Sequence, residues 1–308
     1  MEGFVINYAV IICTYNGSKY IEQQLSSILS QSVAPSFILI SDDGSFDDTI
    51  CKVRNLFELY DFNSFEIICA QGMGAAQNFL YAIDRYRNDF DALFFSDQDD
   101  VWLCDKAKVQ LQAMNNKADS NNTRAVGVFT DSIVVDENLN IISDSFLNYQ
   151  GIDVKIVSDD SIYYKNCIQG ATLALNKNAV DLIKSSLNVV KWSDIYMHDW
   201  YIAIILKNHG DIEFVSDGLI LYRQHGSNVI GAVRKNYIYR CFYFRKYMKS
   251  CWDILTQKNA YRACSRVFGE QYQYKKHQEI IALIIGRNIK FVPFLKRLVL
   301  AILKTLHN

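Results

Sequence analysis

Four polar residues, Asp97-Gln98-Asp99-Asp100, follow directly on an apolar run, Ala92–Ser96. Asp97 and Asp99 stand two apart, so an extended backbone sends both to one face. Carboxylates crowded in this way repel, and they resist burial unless a cation joins them. Oxygen ligands suit Mg²⁺ or Mn²⁺, which also take diphosphate oxygens and water. The plainer reading is a solvated acidic turn, with Asp100 capping the next helix. Asp42-Asp43-Gly44-Ser45 ends an earlier apolar run. A carboxylate there can accept from a nucleobase N–H or a ribose hydroxyl, or it can be an acidic helix start favoured by the dipole, with Ser45 as cap. His198-Asp199-Trp200 opens a later helix. Asp199 is a general base there, or a dipole-compensating residue beside a core Trp. The stretch Leu221–Asn228 mixes Arg223, His225 and small polar residues, a composition suited to diphosphate or metal. A lone His is otherwise more often structural.

These residues need strands and helices behind them. Tyr8–Cys13, Phe37–Ser41, Phe65–Cys69 and Ala92–Ser96 are apolar runs of strand length. Between them, Ile21, Leu25, Ile28 and Leu29 share one helical face. Ile50, Val53, Phe57 and Tyr60 share another, and Phe79, Ile83 and Tyr86 a third. Strands apolar on both faces, alternating with amphipathic helices, predict a parallel α/β sheet covered on both sides. Ligands in such sheets bind beyond the carboxyl ends of the strands. That edge carries Thr14-Tyr15-Asn16, Asp42-Asp43 and Asp97–Asp100. Further on, Val126–Thr130 and Asn166–Leu175 read as strands around a loop-rich stretch near 137–165. Asn176–Leu187 reads as a helix, as does Tyr201–Asn208, closed by Gly210. Phe214–Tyr222 reads as one or two short strands.

Several classes drop out. Gly72-x-Gly74 has Gln77 where a dinucleotide fingerprint needs glycine, and it follows the third strand, so NAD and FAD are excluded. The eight cysteines form no C-x-x-C pair and read as reduced, packed thiols. No stretch is long and apolar enough to span a bilayer. Met1–Cys13 reads as a buried strand rather than a signal peptide, which predicts a cytoplasmic protein.

The ordered set Thr14-Tyr15-Asn16-Gly17, Ser41-Asp42-Asp43-Gly44-Ser45, Asp97-Gln98-Asp99-Asp100, His198-Asp199-Trp200 and Tyr222-Arg223-Gln224-His225 resembles the inverting family 2 glycosyltransferases of GT-A fold, most of all their bacterial rhamnosyltransferase-like branch. Each motif is weak alone; five in order are specific. The resemblance covers residues 8 to about 231. It implies a catalytic domain over 1–231, with a nucleotide-sugar half at 1–103 and an acceptor half at 104–231. It further implies that Thr14, Tyr15, Asn16, Asp42, Asp43, Asp97 and Gln98 meet the nucleotide sugar. Asp97, Asp99 and His225 would engage a divalent metal, Mg²⁺ or Mn²⁺. Asp199 would be the catalytic base, with His198 standing where the family commonly has Glu. Asp100, Trp102, Gly170, His198, Trp200 and Arg223 fall to the acceptor side or its loops. The donor expected first is dTDP-rhamnose, with UDP-galactose or UDP-glucose as alternatives. A sugar nucleotidyltransferase usually carries a Gly-, Arg- and Lys-rich loop after the first strand, and this turn has only Gly17 and Lys19. A non-catalytic nucleotide-sugar-binding subunit is disfavoured by the intact carboxylates at 97, 99 and 199.

Charge divides the chain. Residues 1–231 carry a net −14 and residues 232–308 a net +13. Residues 234–249 interleave Arg and Lys with Tyr and Phe, yet no nucleic-acid-binding fold accompanies them, so no nucleic-acid partner is expected. Phe294, Leu295, Leu298, Val299, Ile302, Leu303 and Leu306 share one helical face, with Lys296, Arg297 and Lys304 off it. Such a helix lies in an anionic headgroup layer or packs on the acidic domain. The former makes 232–308 a helical extension holding the protein on the inner face of the cell membrane, and makes the acceptor a lipid-linked glycan of a cell-surface polysaccharide.

Overall fold

The computed structural model describes residues 7–117, 123–163 and 165–226. The expectations for 232–308, and for Ser227 and Asn228, lie outside them. The chain begins with β1 (Tyr8–Thr14), α1 (Ile21–Leu29), β2 (Phe37–Asp42), α2 (Thr49–Leu59), β3 (Phe65–Cys69), α3 (Ala75–Arg85) and β4 (Ala92–Ser96). All seven residues of β1 are buried. Each fully buried aliphatic side chain contributes roughly 1.5–3 kcal/mol, which is why this strand sits at the centre. β1 pairs in parallel with β2 on one side and β4 on the other, and β2 with β3. The order β3-β2-β1-β4 reverses direction between β1 and β4, and a crevice opens there at the carboxyl ends.

The second half adds antiparallel pairings to the parallel sheet of the first. It contains β5 (Val101–Trp102), α4 (Lys106–Lys117), β6 (Val126–Val135), β7 (Ile141–Ser143), α5 (Phe146–Gln150), β8 (Leu173–Asn176), α6 (Lys177–Leu187), α7 (His198–His209) and β9 (Asp211–Arg223), with 3-10 turns between. The sheet continues from β4 through β8, β6 and β9 to β5, with β7 on the side of β6. β8 runs antiparallel to β4 and β6, whereas β9 runs parallel to β6. The result is a mixed α/β sheet.

Three local expectations are corrected. Asn166–Leu175 is a strand only from Leu173, because Gly170–Thr172 forms a 3-10 turn. Asp100 caps no helix, since β5 intervenes before α4. Ser45 does not cap α2 either; its backbone N–H and hydroxyl both turn back to Asp42. The start of α6 behaves as expected of an Asn cap: Asn176 accepts from the Ala179 N–H at 2.9 Å.

Antiparallel pairing of β4 with β8 brings the turn before β8 level with the residues just after β4. Segments far apart in sequence thereby share one edge. The stretch between β6 and β8 is anchored by one carboxylate. Asp131 accepts from the Ser132, Phe146 and Leu147 N–H groups and from the Ser145 hydroxyl. The described cysteines are all free thiols. No helix among the described residues is long and apolar enough to cross a membrane.

Candidate active site

The floor of the crevice is built by short polar bonds between loops. Asp42 accepts from the Thr14 hydroxyl at 2.7 Å, the Ser45 hydroxyl at 2.6 Å, and the Gly44 and Ser45 N–H groups. These four bonds use a carboxylate's ordinary capacity, so Asp42 shapes the loop. Asp43 accepts from the Met73 and Gly74 N–H groups at 2.7 Å each, fixing the loop before α3. Asn16 adopts φ +48° and accepts from the Phe46 N–H. Tyr15 leaves its ring half-exposed, edge-on to the exposed Phe46 ring at 6.5 Å.

Gln98 does what a strand neighbour would do. It accepts from the Tyr15 N–H at 2.8 Å and donates to the Tyr15 carbonyl at 3.0 Å, tying the loop after β4 to the loop after β1. A Cβ at Gly17 would overlap that Gln98 amide. Gly17→Ala must therefore break both bonds. Each is worth about 1 kcal/mol, so the melting midpoint should fall by about 3–6 °C. A thermal melt with an unchanged midpoint would show that the Gln98 bridge contributes nothing.

Beyond β4, Asp97 is partly exposed, yet its carboxyl is pushed up to about 7 by burial, then by the negative charges of Asp99 and Asp199. Asp99 bonds His225, with His225 Nε2 to Asp99 Oδ2 at 2.8 Å. The His225 ring stacks on Tyr20 at 4.8 Å. Asp100 is buried and accepts the Arg223 N–H through Oδ1. Burial, with Asp99 and Asp97 nearby, holds its pKa well above the usual carboxylate range.

Arg223 is the buried hub of this corner. Its Nε donates to the Asp99 carbonyl at 2.8 Å, Nη1 to the Glu137 carbonyl at 2.5 Å and Nη2 to Gln23 Oε1 at 2.5 Å. Its guanidinium also lies over Tyr20, 4.8 Å from the ring centre. Tyr20, Gln23 and Glu137 had no signal in the sequence, because partners so distant along the chain leave no local pattern.

Across the crevice, Asp199 sits in the first turn of α7. Its Oδ2 accepts from the Gly170 N–H at 3.1 Å and its Oδ1 from the Trp200 N–H at 2.6 Å. Burial pushes its carboxyl up to about 7. An ordinary Asp near 4 would be fully ionised at neutral pH; this one is poised to exchange a proton there. His198 is buried beside it, stacked on Phe79 at 4.0 Å.

Both tryptophans assigned to the acceptor side or its loops are buried. Trp102 is 3% exposed, tilted against Phe94, with Nζ of the buried Lys106 3.8 Å over its ring. Trp200 is 6% exposed and donates to the Ile162 carbonyl. Both are the large apolar side chains that their half of the sheet requires.

Among the described residues no three His, Cys, Asp or Glu side chains converge as a prebuilt metal cage. The donor set still fits Mg²⁺ or Mn²⁺. Such ions usually take only one or two protein ligands, completed by substrate phosphates and water. Asp99 with His225, beside an Asp97 whose charge is disfavoured, is a pair that a cation would relieve.

Known proteins agree with this architecture. Residues 9–157 match the glycosyl transferase family 2 model. The dTDP-rhamnosyl transferase RfbG of Shigella flexneri is 28% identical over 72% of this chain and 74% of its own. The UDP-Glc:alpha-D-GlcNAc-diphosphoundecaprenol beta-1,3-glucosyltransferase WfgD of Escherichia coli is 21% identical over 83% and 87%. Among solved structures, the mannosyltransferase PcManGT from Pyrobaculum calidifontis, in complex with GDP-Man and Mn²⁺, superposes with a TM-score of 0.51. It is 16% identical and covers 91% of this chain and 79% of that one. Of some other solved chains that it matches, this chain spans about 60%. Residues 9–157 are thus similar to the family 2 glycosyltransferases, and the fold is of GT-A type.

Proposed function

We propose that the protein is an inverting glycosyltransferase that passes a sugar from a nucleoside diphosphate to a hydroxyl of a glycan acceptor, residues 1–103 serving the donor and 104–231 the acceptor. One observation carries the reading: Asp97, Asp99 and Asp199 gather at one edge of the sheet, with Asp97 and Asp199 both held near 7. Asp199 takes the proton of the acceptor hydroxyl as that oxygen bonds the anomeric carbon. The bond from that carbon to the diphosphate oxygen breaks in the same step, and the configuration inverts. A divalent cation, when bound, neutralises charge growing on the diphosphate. Asp99 and His225 would hold it, with Asp97 alongside. Tyr15 and the loop shaped by Thr14, Asn16, Asp42 and Asp43 would receive the nucleoside.

The similarity to RfbG supports dTDP-rhamnose as donor, and WfgD supports UDP-glucose as the second reading. WfgD's diphosphoundecaprenol substrate favours a lipid-linked acceptor, which fits a cytoplasmic enzyme held on the membrane by residues 232–308. Calorimetry with dTDP, UDP and GDP, with and without Mn²⁺, tests the donor site. One nucleotide should bind only with metal, and Asp99→Ala should weaken that binding at least about tenfold. No nucleotide bound in any condition would overturn the donor site; UDP alone would replace rhamnose by a hexose.

A further inference from the structure

We infer that His198 reads the transferred sugar, its imidazole hydrogen-bonding a sugar hydroxyl; this rests on the donor site proposed above. His198 is 4% exposed, and neither Nδ1 nor Nε2 has a hydrogen-bond partner among the described residues. In either neutral tautomer one ring nitrogen donates and the other accepts. Leaving buried groups of this kind unmade costs about 1–3 kcal/mol each, so the position favours a ligand that completes them.

The ring is held rigidly for that purpose. Its face lies on Phe79 at 4.0 Å and 21°, and it tilts against Phe95 at 6.1 Å. Burial pushes its basicity down to about 3, so it stays neutral. Gly170 allows the close approach: a Cβ there would lie 2.5 Å from His198 Nε2 and 2.9 Å from Cε1. The same glycine donates its N–H to Asp199.

The location selects the ligand. Phe95 stands two residues before Asp97, and Asp199 directly follows His198. In space, Gly170 packs against both the imidazole and the Asp199 Cβ, and Asp199 is close enough to raise Asp97, so the imidazole lies beside the space that in-line transfer assigns to the reacting sugar. A Glu at this position would add a fourth negative charge near Asp97, Asp99 and Asp199. A neutral imidazole adds none, and it can both donate and accept. A site built to bond a hydroxyl also rejects sugars that lack it more strongly than an apolar pocket does.

Calorimetry on the full chain with Mn²⁺ separates this role from packing, comparing dTDP with dTDP-rhamnose and UDP with UDP-glucose. His198→Phe keeps the stacking and removes the polar atoms. It should bind the diphosphate as the wild type does, and the nucleotide sugar about tenfold more weakly. His198→Gln should recover most of that loss, and Gly170→Ala, which displaces the ring, should reproduce it. Should His198→Phe fail to fold, Gly170→Ala with the Gln variant decides. Unchanged nucleotide-sugar affinity in the folded variants would overturn the inference and leave His198 a packing residue. A wild type that binds no nucleotide at all would instead show that the donor site itself is wrong.

Discussion

Asp199→Asn should lower the turnover of sugar transfer by about 10³-fold while leaving nucleotide affinity nearly unchanged. The amide can still accept one of the two N–H bonds from Gly170 and Trp200. It cannot take a proton from an acceptor hydroxyl. The wild-type rate should rise with pH through an apparent pKa near 7, the position to which burial lifts this carboxyl, rather than near 4. Stability carries the same signature with opposite sign. A folded-state pKa above the unfolded value means that the folded protein binds the proton more tightly. Asp199 therefore stabilises the fold less as pH rises from about 4 to about 7. The asparagine variant lacks this dependence, so its melting midpoint should gain on the wild type across that window. Steady-state kinetics against pH and melts at pH 4.5 and 8 check both parts. Full turnover in the variant would remove Asp199 as the base.

The second large effect is expected at Arg223, the buried hub beside Asp99. Arg223→Ala should lower the melting midpoint by roughly 5 °C, because it removes a buried guanidinium whose charge-assisted bonds are each worth about 1.5–3 kcal/mol, while two of the three acceptors sit on exposed residues that water can still satisfy. Those acceptors are the carbonyls of Asp99 and Glu137 and the amide of Gln23. Metal-dependent nucleotide binding should be lost with it, since Arg223 positions the Asp99 backbone and His225 lies two residues on. Arg223→Lys should rescue little, because a single ammonium cannot reproduce the planar fork. A melt and a calorimetric titration suffice. An alanine variant that binds nucleotide normally would show that the Asp99–His225 pair holds without its hub.

The first hundred residues were legible because their signals are local. Three strands buried along their length, a partly exposed edge strand and three amphipathic helices need no distant partner to be read, and the carboxyl-edge residues follow from them. The second half was less legible for a physical reason. β8 reverses against β4, and β9 is a 13-residue strand with polar and half-exposed positions along it, so neither shows the pattern of a buried parallel strand. The chemical residues Asp97, Asp99, Asp199 and His225 stood out by type. What each one bonds did not. Asp42 accepts from Thr14 and Ser45, and Trp102 packs beside Lys106, partners that no local pattern announces.

The anchoring of the stretch between β6 and β8 by Asp131 separates two kinds of change. The strands that carry Asp97 and the turn that bonds Asp199 are registered through β4 and β8. The excursion between β6 and β8 returns to one carboxylate on β6 that four donors close upon. Residues 148–161, beyond the Asp131 anchor and the Glu137 carbonyl, can thus lengthen, shorten or exchange side chains while the spacing of the reacting groups stays fixed by the sheet. Acceptor preference can diversify on this scaffold without the chemistry having to be rebuilt each time.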